Sequence, residues 1–287
     1  MSTISPAGLA EVSAPLPKPR EYTLLDAAQV DTPGSDRWLG GAWIEGYPSG
    51  QASTHDPCSA GTYRQKNDAG VIARPMAGAF TVYLPAQCDS RSIGPTPDRF
   101  TERLRLVFES VEPAAVERVL VDGDGHTTLG SYLGDTNMEV LGTGVTPVEG
   151  LALLERELAT IGSMGMIHVP PATATYWASL ALIESRGGVM RTKLGTLVAV
   201  GAGYQGARPD GEAAAGADEE WVFASGMIQI TRSESFVMPA DYAQALDRSN
   251  NDVLFLAERH YLLAWVGRID SSDDDHVQAG VLVDRSA

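Results

Sequence analysis

The chain has 287 residues, is 44% hydrophobic with a mean hydropathy of -0.08, and carries a formal net charge of -16. A globular chain of this length buries roughly 75% of the surface its unfolded form exposes, so a sizeable core is expected. The acidic charge excludes a tight hold on a phosphate backbone, because like charges repel and no counterions are released.

Along the chain, residues 1–8 lack a basic region followed by an apolar one, and no later stretch approaches the roughly 18 apolar residues that a spanning helix needs. Neither secretion nor a membrane partner is expected. Pro6, Pro15, Pro17 and Pro19 punctuate a start with little apolar periodicity, and residues 32–62 are rich in Gly, Ser, Pro and Asp. This segment is either disordered or an extended arm that gains its order from neighbouring subunits. Cys58 and Cys88 have no His or Cys at metal-ligand spacing and read as free thiols. Phe80–Leu84 has the composition of a strand.

Thr96-Pro97-Asp98 is a helix start, with a hydroxyl cap, proline at the first position and an acid in the first turn. Phe100, Leu104, Val107, Phe108, Val111, Ala115 and Val119 follow at helical spacing, which predicts one buried stripe on a helix over 97–121. Pro113 falls inside it and predicts a kink or a local break. Thr146-Pro147-Val148-Glu149 predicts a capping box for a second helix with Leu151, Leu154 and Leu158 inward and Gly162 as its stop. A short buried strand is expected at 166–169, a third helix at about 172–185 through Trp177, Leu180 and Ile183, and strands at 194–200, 221–231, 253–266 and 277–284. The acidic stretches 207–220 and 269–276 read as solvated loop tips. The fold class is α+β, an arm followed by a long helix and then mixed helices and strands.

Candidate chemistry is weak throughout. Gly201-Ala202-Gly203-Tyr204-Gln205-Gly206 has the form of a dinucleotide fingerprint, but Arg208-Pro209-Asp210-Gly211 continues as loop where that fold needs a helix N-terminus. Asp122-Gly123-Asp124-Gly125-His126 starts like a calcium loop, yet Thr127 and Leu133 stand where its glycine and bidentate glutamate belong. His55, His126, His168, His260 and His276 are scattered, with no partner at metal-ligand spacing and no evident nucleophile. No catalytic, metal-binding or cofactor-binding residue is expected, and the chain reads as a non-enzyme with no cofactor.

Several segments taken in order resemble the Johnson (Hong Kong 97-like) fold of tailed-phage major capsid proteins, which encapsulin shells share. Ala115-Val116-Glu117-Arg118-Val119-Leu120-Val121-Asp122-Gly123-Asp124-Gly125 resembles the end of that family's spine helix and its turn. Residues 147–180, with Gly165-Met166-Ile167-His168-Val169-Pro170-Pro171, resemble the entry to its axial domain. Leu194-Gly195-Thr196-Leu197-Val198-Ala199-Val200 and Asn250-Asn251-Asp252-Val253-Leu254-Phe255-Leu256-Ala257-Glu258-Arg259 resemble an axial strand and the closing peripheral strand. The pattern is similar to head proteins of phages that infect actinobacteria.

The resemblance implies an N-terminal arm over 1–40 and an extended loop and strand region over 41–95. It implies a peripheral domain with the spine helix from 96–145 plus 247–287, and an axial domain over 146–246. Such a subunit would assemble with itself as hexamers and pentamers into an icosahedral head that encloses double-stranded DNA without binding it specifically. It would reside in the virion, and in the host cytoplasm during assembly. Scaffolding, portal or decoration proteins would be separate partners, since no charged helical prodomain is evident. Lys66, one of three lysines with Lys18 and Lys193, and Asn250 or Asn251 would be the candidates for the inter-subunit crosslink of some relatives. The alternatives are an encapsulin-like compartment shell and, from another class, an α+β enzyme with a scattered site.

Overall fold

The computed structural model of the chain describes residues 15–44, 76–89, 97–125, 132–160, 164–240, 242–247, 252–265 and 278–287. The expectations on Cys58, Lys66, His55, His126, His276, Asn250, Asn251, Gly162 and the 269–276 loop lie outside these residues, as does most of the 41–90 loop. The fold is α+β, and the chain divides into two compact units. One comprises residues 1–19, 83–112 and 235–259; the other comprises 20–82, 113–234 and 260–287.

The expected long helix is Pro97–Asp122, and it contains Pro113 without interruption. Its residues up to Glu112 belong to the first unit and those from Pro113 to the second. The expected stripe is shifted. Leu104, Phe108, Glu112, Val116 and Leu120 are buried at i, i+4 spacing, whereas Val107 and Val111 are exposed. The buried row passes through a carboxylate, so a reading that looks for apolar residues selects its neighbours instead.

In the first unit, strand residues 252–259 pair antiparallel with Phe236–Met238 and Leu246–Asp247. Phe255 packs on Phe100 of the helix with ring centroids 5.4 Å apart, and Leu104, Phe108, Val253 and Ala257 complete the buried apolar set.

The second unit holds a seven-stranded sheet in the order Glu139–Val145, Gln278–Asp284, Glu219–Gly226, Gly165–Val169, Leu197–Val200, Val189–Thr192, Ile183–Arg186. The first two strands are parallel, as are Gly165–Val169 and Leu197–Val200; the remaining pairs are antiparallel. Pro147–Thr160 and Pro171–Ser179 cover one face. Leu151, Leu154, Leu158 and Trp177 pack there against Ile167, Val169, Val198, Val222, Ala224, Val281 and Val283. The Glu149 N–H donates to Thr146 Oγ1 at 3.2 Å, the expected cap. Glu139–Val145 and Gln278–Asp284 lie in one sheet with Gly165–Val169.

The third helix ends at Ser179, not near 185, and Ile183 opens a hairpin, Ile183–Arg186 with Val189–Thr192. The end is a Schellman motif: the Leu182 N–H donates to Trp177 O at 2.9 Å and the Ala181 N–H to Ala178 O at 3.0 Å, with Ala181 left-handed at φ 55. A glycine is the usual sequence signal for such an end, and none is present. The expected strand 221–231 is two strands, Glu219–Gly226 and Ile228–Arg232, and 194–200 is a turn before Leu197–Val200.

Residues 20–31 find their partners within their own chain. Leu24 is fully buried, Val200 N–H donates to Tyr22 O at 2.7 Å, and Gln29–Asp31 runs parallel to residues 229–231. Thr23 and Asp26 close a one-turn helix, with the Thr23 N–H donating to Asp26 Oδ2 at 2.8 Å. For these residues the expectation of an arm ordered only by neighbouring subunits does not hold.

Candidate functional site

The glycine-rich turn is a packing device. A Cβ on Gly201 would lie 2.1 Å from the Glu117 carboxylate, and one on Gly203 would lie 2.3 Å from Ala114 O. The two glycines let the turn press onto the long helix. Gly203 N–H donates to Glu117 Oε2 at 3.0 Å, and Leu24 N–H donates to Glu117 Oε1 at 3.2 Å. One carboxylate therefore ties the helix to the turn and to the N-terminal segment. Burial pushes the Glu117 carboxyl up to about 7 against the pull of its two backbone donors. No helix follows the turn to face a pyrophosphate, so the fingerprint has no phosphate site.

His168 is the histidine that most resembles a catalytic one, since it touches a serine and a tyrosine. Its Nε2 lies 2.8 Å from Ser225 Oγ and its Nδ1 lies 3.1 Å from Tyr204 O–H. The Ser225 hydroxyl donates to Gly226 O at 2.8 Å, so it accepts from Nε2–H, and Nδ1 accepts from Tyr204. The imidazole thus points its proton at the serine and cannot take one from it. All three side chains are fully buried, and burial lowers the imidazole to about 3. The arrangement is a satisfied polar network inside the sheet.

His260 Nδ1 lies 2.8 Å from Thr81 Oγ1, on a strand that pairs with its own. The Asp122–Gly125 stretch is a helix-ending turn, in which the Asp124 N–H donates to Asp122 Oδ1 at 2.8 Å with Asp124 left-handed at φ 39. Among the described residues no three His, Cys, Asp or Glu side chains are grouped to hold a metal ion, and no helix is long and apolar enough to cross a membrane.

Two features escaped sequence reasoning. Arg259 Nη1 donates to Glu112 Oε1 at 2.5 Å inside the first unit, and its guanidinium lies 6.0 Å from the Phe108 ring centre. In the second unit, Glu155 on the helix accepts from Thr192 Oγ1 at 2.5 Å and Thr196 Oγ1 at 2.7 Å, which anchors the hairpin. Neither pairing has a spacing signature, because the partners are joined only by the tertiary fold.

No family model matches the chain, and no curated protein does. Solved structures do. A chain from Mycobacterium phage Adephagia superposes with a TM-score of 0.60 over 100% of this chain and 99% of that one, at 13% identity. The chain has the Hong Kong 97-like (Johnson) fold. The SrpI encapsulin of Synechococcus elongatus has the same fold at a TM-score of 0.56 and 12% identity, covering 96% of this chain and 93% of that chain. The capsid of a native GTA particle matches at 0.52 and 10% identity, over 98% and 96%. The Johnson fold accounts for the long helix and for a sheet whose edges are left open.

Proposed function

We propose that this chain is a non-enzymatic shell subunit, the major capsid protein of a tailed bacteriophage. The observation that carries the reading is the near end-to-end correspondence with the phage Adephagia chain, at a TM-score of 0.60 over 100% and 99% of the two chains. A shared pocket or catalytic group plays no part in it. In this reading, copies assemble as hexamers and pentamers into an icosahedral head around double-stranded DNA. The acidic charge of -16 suits a wall that must enclose a polyanion and later release it. Many modest interfaces summed around a closed surface supply the stability, so no single contact need be strong.

The proposed organisation keeps an N-terminal segment over 1–40, of which residues 20–31 lie on their own subunit, an extended loop over 41–95, a peripheral part built on the spine helix and an axial part centred on the seven-stranded sheet. Scaffolding, portal and decoration functions fall to separate proteins, and the subunit resides in the virion after assembly in the host cytoplasm. The encapsulin likeness supports a second reading, a compartment shell loaded with cargo protein in place of DNA.

Negative-stain microscopy and light scattering on the full chain test the proposal, with the chain expressed alone and then with the proteins encoded beside it. Closed shells or ring-shaped capsomers are expected. A stable monomer in every condition would overturn the reading. Neighbouring terminase and portal genes separate a phage head from a compartment shell.

A further inference from the structure

The seven-stranded sheet has two open edges with opposite chemistry. At one edge, the hairpin of Ile183–Arg186 with Val189–Thr192 and the turn after it carry three basic residues, Arg186, Arg191 and Lys193, against one acid, Glu184. This is a basic patch on a chain of net charge -16, and it holds one of the three lysines. Glu184 is ion-paired to both Arg186 and Lys193, which fixes the two cationic heads at the edge. Arg191 Nη1 donates to Gly195 O at 2.8 Å and so pins the turn that presents Leu194. Leu194 is 81% exposed, and Leu180, across the Lys193 N–H to Leu182 O bond, is 44% exposed.

The opposite edge is acidic. Glu139 and Val140 lie exposed at the start of the edge strand Glu139–Val145. At that strand's far end the Glu219 carboxylate reaches the edge, 3.9 Å from where a Cβ on Gly144 would stand. The register aligns the two edges. Leu197 pairs with Met166 and Gly165 with Gly226, while Gln278 pairs with Ser225 and Ala279 with Glu139. Lys193 and Leu194, just before Leu197, therefore lie at the same end of the sheet as Glu139 and Val140. Arg186, beside the Gly187-Gly188 turn, lies at the same end as Glu219.

We infer that the edge of Leu180, Arg186, Lys193 and Leu194 docks on the Glu139, Val140 and Glu219 edge of a second copy of this chain, head to tail around a ring. Laying one edge against the other without turning the sheet end for end meets Lys193 with Glu139, Leu194 with Val140 and Arg186 with Glu219. A head-to-tail contact of this kind uses two different patches and closes into a ring when its rotation divides a full turn. Opposite charge across the contact sets its register, and like charge rejects a wrong pairing. The inference rests on the shell reading and names the faces that would meet in it.

Reciprocal charge reversal in the full chain tests it. R186E/K193E leaves acids at both facing edges, and E139K/E219K leaves basic residues at both. Each variant alone is expected to lose assembly into capsomers or shells by at least about tenfold, since charge reversal replaces attraction by repulsion at every contact in the ring. Mixing the two in equal amounts is expected to restore six-membered rings, in which the two variants can alternate, whereas a five-membered ring cannot alternate and is not expected to recover. Thermal melting of each variant checks folding, and should R186E/K193E melt early, K193E alone takes its place. Wild-type assembly by either variant alone, or no recovery in the mixture, would overturn the edge pairing while leaving the shell reading intact. Failure of the unmodified chain to assemble would instead sink the shell reading itself.

Discussion

Arg259 and Glu112 meet at 2.5 Å with side chains 8% and 4% exposed, an ion pair in the interior of the unit that holds the first half of the long helix. Removing one partner takes away the opposite charge that faces the other in the interior, which costs about 3–5 kcal/mol. R259A and E112A should each lower the urea midpoint accordingly. The double variant E112L/R259M should recover most of that loss, because an apolar pair of similar volume needs no desolvation. A double variant as unstable as either single one would show that the pair does more than neutralise itself.

Glu117 gives the fold a pH dependence of defined sign. Burial disfavours the charged form and pushes its carboxyl up to about 7 in the folded chain, from an ordinary value of 4.5. Between these values the folded state holds a proton that the unfolded state has released, so stability is fullest below about 4.5 and falls as pH rises through about 7. The loss is on the order of 3 kcal/mol. Denaturant midpoints at pH 5 and pH 8 should show it in the wild type, and E117Q should flatten this part of the profile. A profile unchanged by E117Q would assign the slope to other groups.

Much of the fold was legible because burial leaves periodic marks. The helix start at Pro97, the Leu151, Leu154, Leu158 face and the strands at 166–169 and 278–284 each carry a local signal that the structure retains. What stayed hidden depends on partners distant in sequence. Glu112 broke the apolar stripe because its burial is offset by Arg259, on a strand distant in sequence. Strand Glu139–Val145 was missed because it lies at a sheet edge with no alternating pattern. The order of segments was enough to place the chain among Johnson folds, whereas the charged sheet edges needed strand order and register, which no linear pattern contains.

The three glycines of the 201–206 turn should not be equivalent. A side chain at Gly203 would strike Ala114 O and the Arg118 nitrogen of the helix backbone, at 2.3 and 2.8 Å, so G203A should destabilise by about 1–3 kcal/mol or more. Gly206 has open space around it and needs only its positive φ of 74, so G206A should cost about 1 kcal/mol, the penalty of a left-handed alanine. Chemical denaturation of the two variants checks the order. Nucleotide addition should leave both midpoints unchanged, since neither glycine faces a phosphate.

Ala181 is a site where the chain can be improved. It is exposed, left-handed at φ 55, and occupies the position of the Schellman motif where glycine is usual. A left-handed alanine costs roughly 1–2 kcal/mol, and glycine returns part of that gain through its freer unfolded state. A181G should therefore stabilise the second unit by about 0.5–1 kcal/mol and raise its melting temperature, while the Trp177 O to Leu182 N–H bond is kept. The same substitution at Ala178, inside the helix, should cost about 1 kcal/mol. Calorimetry on the two variants reads both signs. Equal losses at 178 and 181 would place Ala181 in ordinary helical backbone, with the helix continuing toward 185 as its sequence pattern suggests.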